Sequence, residues 1–230
     1  MRTIFYRKPV ELTICIVAAL IGIGLVMVYS ASAVGPGSID MDFSNIYKHL
    51  ISIAFGTCAL IFMSNVDYHY LEKCKYILFG AGLLGIVLVM VPGVGAKVNG
   101  AHRWIRFGDS FGFQPSEIAK ISLLVFISAY IVKNSERMHE VKRGFMIPMV
   151  IILPFLALLV IEPDFGTAVF MAITCITLLI IGGTRGIYII FTMIVAIPHI
   201  HELLFEVSYR KDRLLTFLDP WKDPGNSGYQ

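Results

Sequence analysis

The stretch Asn99–Lys120 concentrates the reactive side chains of this sequence and reads NGAHRWIRFGDSFGFQPSEIAK. Two arginines flank a tryptophan, and a glutamate and a lysine follow near the end. Pro115 is well suited to open a helix, because its missing N–H would be unpaired there in any case. Glu117 and Lys120 would then share one helix face by their i, i+3 spacing, where the two charges can pair.

The charge pair leaves two interpretations open, because a lysine inside a bilayer costs about 2.5–3.5 kcal/mol unless it is paired or faces a wet cavity. One is a structural ion pair at the membrane edge. The other is a polar cavity in which Lys120, Arg103 and Arg106 meet an anionic lipid head group, since guanidinium groups suit phosphate. For Trp104 we favour an anchor at the membrane interface over a platform on which a sugar ring stacks. Gln114, at the end of the same loop, is a further candidate binding residue.

A second acidic cluster, IEPDFGTA, places Glu162 and Asp164 on either side of a proline. Paired carboxylates can act as acid and base. We favour the alternative that Asp164 caps the following helix, whose N-terminus is positive, and keep Glu162 as a candidate for the polar cavity. His199, His201 and Glu202 lack a distant metal-ligating partner and are interpreted as interfacial polar residues, so no metal site is predicted.

These candidates lie in a chain too apolar for a globular surface in water. Its residues are 57% hydrophobic and 15% charged, and the mean hydropathy is +0.75. About 20 helical residues cross a bilayer core. The sequence therefore predicts an all-α, polytopic transmembrane helix bundle with seven spans: Leu12–Val34, His49–Ser64, Tyr76–Val91, Pro115–Val132, Phe145–Ile161, Phe165–Gly183 and Ile187–Leu203.

Basic residues predict the orientation of the bundle. Most fall on one set of alternating loops, which the positive-inside rule places in the cytoplasm: Arg2, Arg7, Lys8, Lys73, Lys75, Lys133, Arg137, Lys142, Arg143 and Arg185. The N-terminus is then cytoplasmic, whereas residue 230 and the loop Asn99–Gln114 are extracytoplasmic. The first span resembles a signal peptide but is too long for one, so we interpret it as a retained helix.

The chain is expected to form one transmembrane domain over residues 1–230, with 201–230 as the start of a large external loop. The four cysteines have no C-x-x-C spacing, which argues against a zinc site or a disulfide framework. The net charge of +3 follows from the topological bias, so no nucleic-acid partner is predicted.

Five segments of the chain resemble the SEDS family of bacterial membrane proteins, which includes FtsW, RodA and SpoVE. They are LVMVYSAS, NGAHRWIRFG, FQPSEIAK, EPDFGTA and RLLTFLDPWKDPGNSGYQ. The resemblance is greater to the FtsW and SpoVE branch than to the RodA branch. The resemblance implies a ten-span peptidoglycan glycosyltransferase that polymerises lipid II at the outer face of the cytoplasmic membrane. It implies a class B penicillin-binding protein and other divisome or elongasome membrane proteins as partners. Glu117 and Lys120 correspond to the family's buried polar pair, and Arg103 to an arginine of its external loop.

The resemblance also implies that the family's catalytic aspartate lies beyond Gln230, so the catalytic residue is unknown and this chain alone is expected to be inactive. Asp219 and Asp223 belong to the earlier motif DPWKDP and do not correspond to that aspartate. No cofactor is certain, although a divalent cation, Mg or Mn, could assist the cationic side chains. Two other classes of function stay open: a flippase or transporter of lipid-linked oligosaccharides, and a scaffold of the divisome without catalysis.

Overall fold

The computed structural model describes residues 2–33, 43–91, 93–98, 101–107 and 111–205. The chain divides into two compact units, and the first ends at Tyr68. Several predictions concern residues, or side chains, that the structure does not describe. They concern Val34, the side chains of His199, His201 and Glu202, and the polar tail with Asp219 and Asp223. The prediction of a single transmembrane domain stays a prediction.

The first unit contains two long apolar helices, α1 (Arg2–Ala33) and α2 (Phe43–Ser64), which contact each other. Each contains a segment long and apolar enough to cross a membrane, Val10–Ser30 in α1 and Ile46–Ser64 in α2. Large apolar side chains along both helices are exposed, as expected for surfaces that face lipid.

The second unit contains the remaining helices and a small sheet. Its elements are α3 (Tyr68–Lys73), which begins at the boundary, then α4 (Lys75–Met90), β1 (Ala96–Val98), β2 (Ala101–Phe107), β3 (Phe111–Phe113), α5 (Pro115–Lys133), α6 (Ile147–Ile161), α7 (Phe165–Ile181) and α8 (Gly186–Phe205). Helices α4, α5, α6 and α7 share one apolar core, centred on Ile86, Leu123, Phe155, Leu159 and Leu179.

Small residues allow α4 and α5 to approach closely. A Cβ atom on Gly82 would clash with Ser122 Oγ and would lie 3.1 Å from Ala119 Cα. Ser122 is buried and donates its hydroxyl hydrogen to the Ala119 carbonyl oxygen at 2.9 Å, so it adds no unpaired polar group to the interface. Backbone proximity of this kind is typical of helix packing in membranes, where small residues set the contact distance.

The predicted all-α membrane bundle is confirmed, since each of the seven predicted spans coincides with a helix within a few residues at its C-terminal end. Four described segments meet the length and apolarity of a span, among them Pro115–Lys133 and Val141–Ile161. Three further apolar helices are shorter, at Lys75–Met90, Phe165–Ile181 and Gly186–Pro198.

The sheet was not predicted. Its order is β1-β2-β3, and both pairs are antiparallel, with Val98 opposite Ala101 and Arg106 opposite Gly112. The sequence predicts a loop over Asn99–Gln114, and the structure instead shows β2 and β3 there, with β1 directly before them. The sheet places these residues on two defined faces, and this decides which of them can reach the helices.

Candidate functional site

The charged pair of α5 forms as its spacing predicts. Lys120 Nζ lies 2.8 Å from Glu117 Oε1 and 2.8 Å from Glu117 Oε2, so the ammonium group contacts both carboxylate oxygens. Pro115 occupies the first turn of the helix, as predicted. The Lys120 side chain is 26% exposed and that of Glu117 is 57% exposed. The pair therefore stands at the edge of the helix bundle, with the lysine as its inner member.

A cavity of about 250 Å³ lies beside this pair, between α5 and α7. Helix α5 contributes the two charged residues together with apolar side chains, and Lys120 Nζ is 5.6 Å from the centroid of the Phe170 ring of α7. The complete lining is Glu117, Lys120, Ile121, Leu123, Leu124, Phe170, Met171, Thr174 and Cys175. Pockets for drug-sized ligands occupy about 300–1,000 Å³, so this one would take only part of a larger molecule.

The wall contributed by α7 was missed by the sequence analysis. Phe170, Met171, Thr174 and Cys175 lie in an apolar run without a charge to distinguish the side that faces α5. Thr174 donates its hydroxyl hydrogen to the Phe170 carbonyl oxygen at 2.8 Å, a common arrangement in apolar helices. Only the packing of α7 against α5 identifies these residues as cavity-lining.

Strand β2 points its candidate residues in two directions, because successive side chains of a strand alternate between faces. Arg103 reaches the turn between α6 and α7, where its Nη2 donates to the Pro163 carbonyl oxygen. Trp104 and Arg106 lie on the other face, where a Cβ atom built on Gly112 of β3 would meet Trp104 Cε3 at 3.2 Å and Arg106 Cγ at 4.0 Å. None of these three residues lines the cavity beside Lys120. The grouping of Lys120, Arg103 and Arg106 around one anionic head group therefore stays a prediction.

The side chain of Asp164 joins the sheet, the start of α5 and the start of α7. It accepts a hydrogen bond from the Thr167 backbone N–H at 3.4 Å, so the predicted N-cap is confirmed. Gln114 Nε2 donates to its Oδ2 at 3.2 Å. Arg103 Nη1 lies 3.9 Å from its Oδ1. Gln114 thus binds the protein's own carboxylate and does not line the cavity.

Glu162 is buried in the same turn, with 4% of its surface exposed. Both of its carboxylate oxygens, and Nε of Arg103, are without a hydrogen-bond partner among the described residues. The pKa of Glu162 is raised from 4.5 to about 7, chiefly by burial and also by the negative charge of Asp164, with a smaller opposing effect from Arg103. Near neutral pH the side chain can therefore exchange a proton, a property of few carboxyl groups.

Known proteins resemble this chain over most of its length. The family model for FtsW, RodA and SpoVE, described as a cell cycle protein, matches residues 11–230. A probable peptidoglycan glycosyltransferase FtsW from Marinomonas mediterranea is 38% identical over 213 residues, which cover 92% of this chain and 52% of that protein. Stage V sporulation protein E of Bacillus subtilis is 32% identical over 224 residues, covering 97% of this chain and 61% of that protein.

This chain superposes on a chain of a solved structure with a TM-score of 0.69. The description of that structure reads "Structural coordination of polymerization and crosslinking by a peptidoglycan synthase complex". Its sequence is 25% identical, and the match covers 92% of this chain and 60% of the solved chain. The chain therefore spans between half and two thirds of the length of the proteins it matches.

Proposed function

This chain belongs to the SEDS family of cell cycle proteins, on its FtsW and SpoVE branch, and on that premise we propose that the whole protein is a peptidoglycan glycosyltransferase. Its substrate is lipid II, a disaccharide peptide carried on a polyprenyl diphosphate. The reaction takes place at the outer face of the bacterial cytoplasmic membrane. The cavity between α5 and α7, with Lys120 on its wall, is the observation that carries this proposal.

Lys120 suits the diphosphate of such a substrate. Its ammonium group has three N–H donors, and the two oxygens of Glu117 engage it at 2.8 Å from one side. The remaining donor capacity is available to a phosphate oxygen in the cavity. Glu117 fixes the position of the ammonium group before the substrate arrives, so less side-chain entropy is lost on binding. The apolar wall from α7 suits the start of the polyprenyl chain.

The reaction needs positive charge near the leaving group. An acceptor sugar hydroxyl attacks the anomeric carbon of the donor, the bond from that carbon to the diphosphate oxygen breaks, and the hydroxyl proton goes to a base. Negative charge develops on the departing diphosphate, and a fixed cation stabilises it. In this proposal Lys120 is that cation, and the base is not among the residues assigned here.

A divalent cation, Mg or Mn, is compatible with this arrangement only as a companion of the substrate. Among the described residues, no three side chains of His, Cys, Asp or Glu come together as a metal site. The cavity wall offers one carboxylate, that of Glu117. Magnesium is commonly held by one or two carboxylates together with substrate phosphates, so Glu117 would be the protein's contribution.

The proposal includes an orientation and partners. We place the sheet and the α6–α7 turn outside the cytoplasm, as the basic residues predict. The partner is a class B penicillin-binding protein within the division or elongation machinery. The structural relative described as part of a complex for polymerization and crosslinking supports a partner of this kind.

The test uses the natural full-length protein, purified in detergent with its penicillin-binding partner and supplied with lipid II. We expect Lys120→Ala to reduce the formation of glycan strands by about 100-fold or more, the usual effect of removing a group that stabilises transition-state charge. Lys142→Gln serves as the matched control, since Lys142 is exposed and does not line the cavity. Glycan strands separated on gels provide the measurement.

Three outcomes separate the candidate functions. Loss of polymer in Lys120→Ala with normal polymer in Lys142→Gln supports the transferase. If the wild-type protein makes no polymer in detergent but moves lipid-linked sugar across vesicle membranes, it is a transporter. If the wild-type complex neither makes polymer nor moves lipid-linked sugar, a scaffold is the better assignment. Unchanged polymer formation in Lys120→Ala would mean that the cavity has no catalytic role.

A further inference from the structure

A second cavity lies between α4 and α5, at the opposite end of α5 from the sheet. Its volume is about 260 Å³, and its lining is Lys75, Tyr76, Phe126, Ala129, Tyr130, Lys133 and Asn134. Lys75 begins α4 and Lys133 ends α5, so two cations from different helices stand at one membrane boundary. In the orientation proposed above, this boundary faces the cytoplasm.

The charge of this cavity is positive. None of its lining residues is acidic. Lys75 is mostly buried, with 18% of its side chain exposed, and its Nζ lies 3.7 Å from one oxygen of Glu72, a more exposed residue outside the cavity. Lys133 has no carboxylate within 4.0 Å among the residues that the structure describes. Among the described residues, Glu72 is thus the one carboxylate within 4.0 Å of either lysine.

Two further polar side chains of the cavity are paired within the protein. Tyr130 donates its hydroxyl hydrogen to the Arg143 carbonyl oxygen at 2.9 Å, and Asn134 Nδ2 donates to the Tyr130 carbonyl oxygen at 2.8 Å. These bonds hold the end of α5 in place, and the two lysines supply the charge of the lining. A ligand here would be recognised by charge.

Aromatic rings form the apolar wall of the cavity. Tyr76 meets Phe126 edge to face, with ring centroids 5.6 Å apart, and Phe79 lies 4.6 Å from Phe126 deeper in the bundle. Lys75 Nζ also lies 5.8 Å from the centroid of the Tyr76 ring. A tyrosine at the boundary and phenylalanines below it suit a molecule with a polar head and an apolar body.

We propose that the cavity lined by Lys75, Tyr76, Phe126 and Lys133 binds the phosphate of an anionic phospholipid from the adjacent leaflet. The phosphate lies between the two ammonium groups, and the first methylene groups of the acyl chains lie along the aromatic wall. Basic pockets between transmembrane helices are known to hold anionic head groups in this way. The site goes beyond the proposed transferase activity and does not depend on it.

The experiment measures lipid binding by the full-length protein in detergent, through native mass spectrometry and the melting temperature. Phosphatidylglycerol is compared with phosphatidylcholine, which has the same phosphate but no net charge, and with inorganic phosphate. We expect phosphatidylglycerol to bind and to raise the melting temperature by several degrees. The double variant Lys75→Gln/Lys133→Gln should weaken its binding at least tenfold. The matched control Arg137→Gln/Lys142→Gln removes two exposed cations outside the cavity and should change binding less than twofold.

Three results would overturn the site. They are equal weakening by both double variants, equal binding of phosphatidylcholine, and equal stabilisation by inorganic phosphate. The first would mean general attraction to a basic surface, and the last would mean a site for free phosphate. If the double variant does not fold, a photoreactive phosphatidylglycerol on the wild-type protein decides instead. It should label peptides containing Tyr76 or Lys133, and labelling elsewhere alone would contradict the proposal.

Discussion

Glu162 is buried and has no hydrogen-bond partner among the described residues. A carboxylate buried without hydrogen bonds is costly, so the neutral acid is the stable form inside the protein. Its neighbour Asp164, by contrast, has three interactions, with Thr167, Gln114 and Arg103. The turn between α6 and α7 therefore contains one acid that binds the sheet and one that can exchange a proton near pH 7.

Stability should depend on the protonation of Glu162. Its folded-state pKa of about 7 lies above the ordinary value of 4.5. Its contribution to stability is therefore complete below about pH 4.5 and is lost as the pH rises through 7. The difference between the two values corresponds to about 3 kcal/mol. We expect Glu162→Gln to melt at a higher temperature than the wild type, by a margin that grows from pH 5 to pH 7 and then levels off.

Thermal unfolding in detergent between pH 5 and pH 8 measures this margin. Glu136→Gln is the control, because Glu136 is exposed in a short helical turn. Its melting temperature should differ from that of the wild type by a constant amount. A margin for Glu162→Gln that is equally constant would mean that this carboxyl group is ionised in the folded protein throughout.

Sequence spacing predicted the contacts that are local and missed those that are distant. The pair of Glu117 with Lys120 and the cap by Asp164 each span three residues, so helix geometry alone dictates them. Arg103 and Asp164 are 61 positions apart. Their contact depends on the sheet, which was not predicted, and on the packing of helices, so no local pattern reveals it.

At the scale of elements, the contact between α4 and α5 depends on Gly82. Replacing it with alanine places a methyl group against Ser122 Oγ and the Ala119 backbone. We expect Gly82→Ala to cost about 1–3 kcal/mol, because an overpacked core must shift its backbone or its rotamers. The melting temperature in detergent is the measurement.

Gly80 of the same helix provides the matched control. A Cβ atom there would have no neighbour within 4 Å. Alanine is preferred over glycine in a helix by about 0.5–1 kcal/mol, so Gly80→Ala should be neutral or slightly stabilising. If the two variants melt at the same temperature, close approach of the helices at Gly82 is not important for stability.

The helices themselves were predictable because apolar runs of this length have few other stable arrangements in a membrane. Their ends were set by Pro115, by Asp164 and by the glycines Gly182 and Gly183 after α7. The sheet is different, since β1 and β3 have three residues each. Strands this short give too little alternation to be recognised before their partners are known.

At the scale of the whole second unit, Arg103 fastens the sheet to the helices. Its guanidinium group contacts both the Pro163 carbonyl oxygen and the Asp164 carboxylate, which a planar fork with several donors can do at once. Lysine presents its charge at one point and cannot reproduce both contacts. Arg106, on the other face of β2, is exposed. A lysine substitution at Arg106 is therefore the control for the same substitution at Arg103.

We expect Arg103→Lys to release the sheet from the α6–α7 turn while the helix bundle stays folded. A charge-assisted hydrogen bond contributes about 1.5–3 kcal/mol, so backbone amides of β2 should exchange with deuterium at least tenfold faster. Amides of α5 and α7 should be unaffected, and Arg106→Lys should leave β2 as protected as in the wild type. Hydrogen exchange followed by mass spectrometry tests this. Equal protection in Arg103→Lys and Arg106→Lys would mean that the sheet is held by its apolar contacts with α4 and α5, without the arginine.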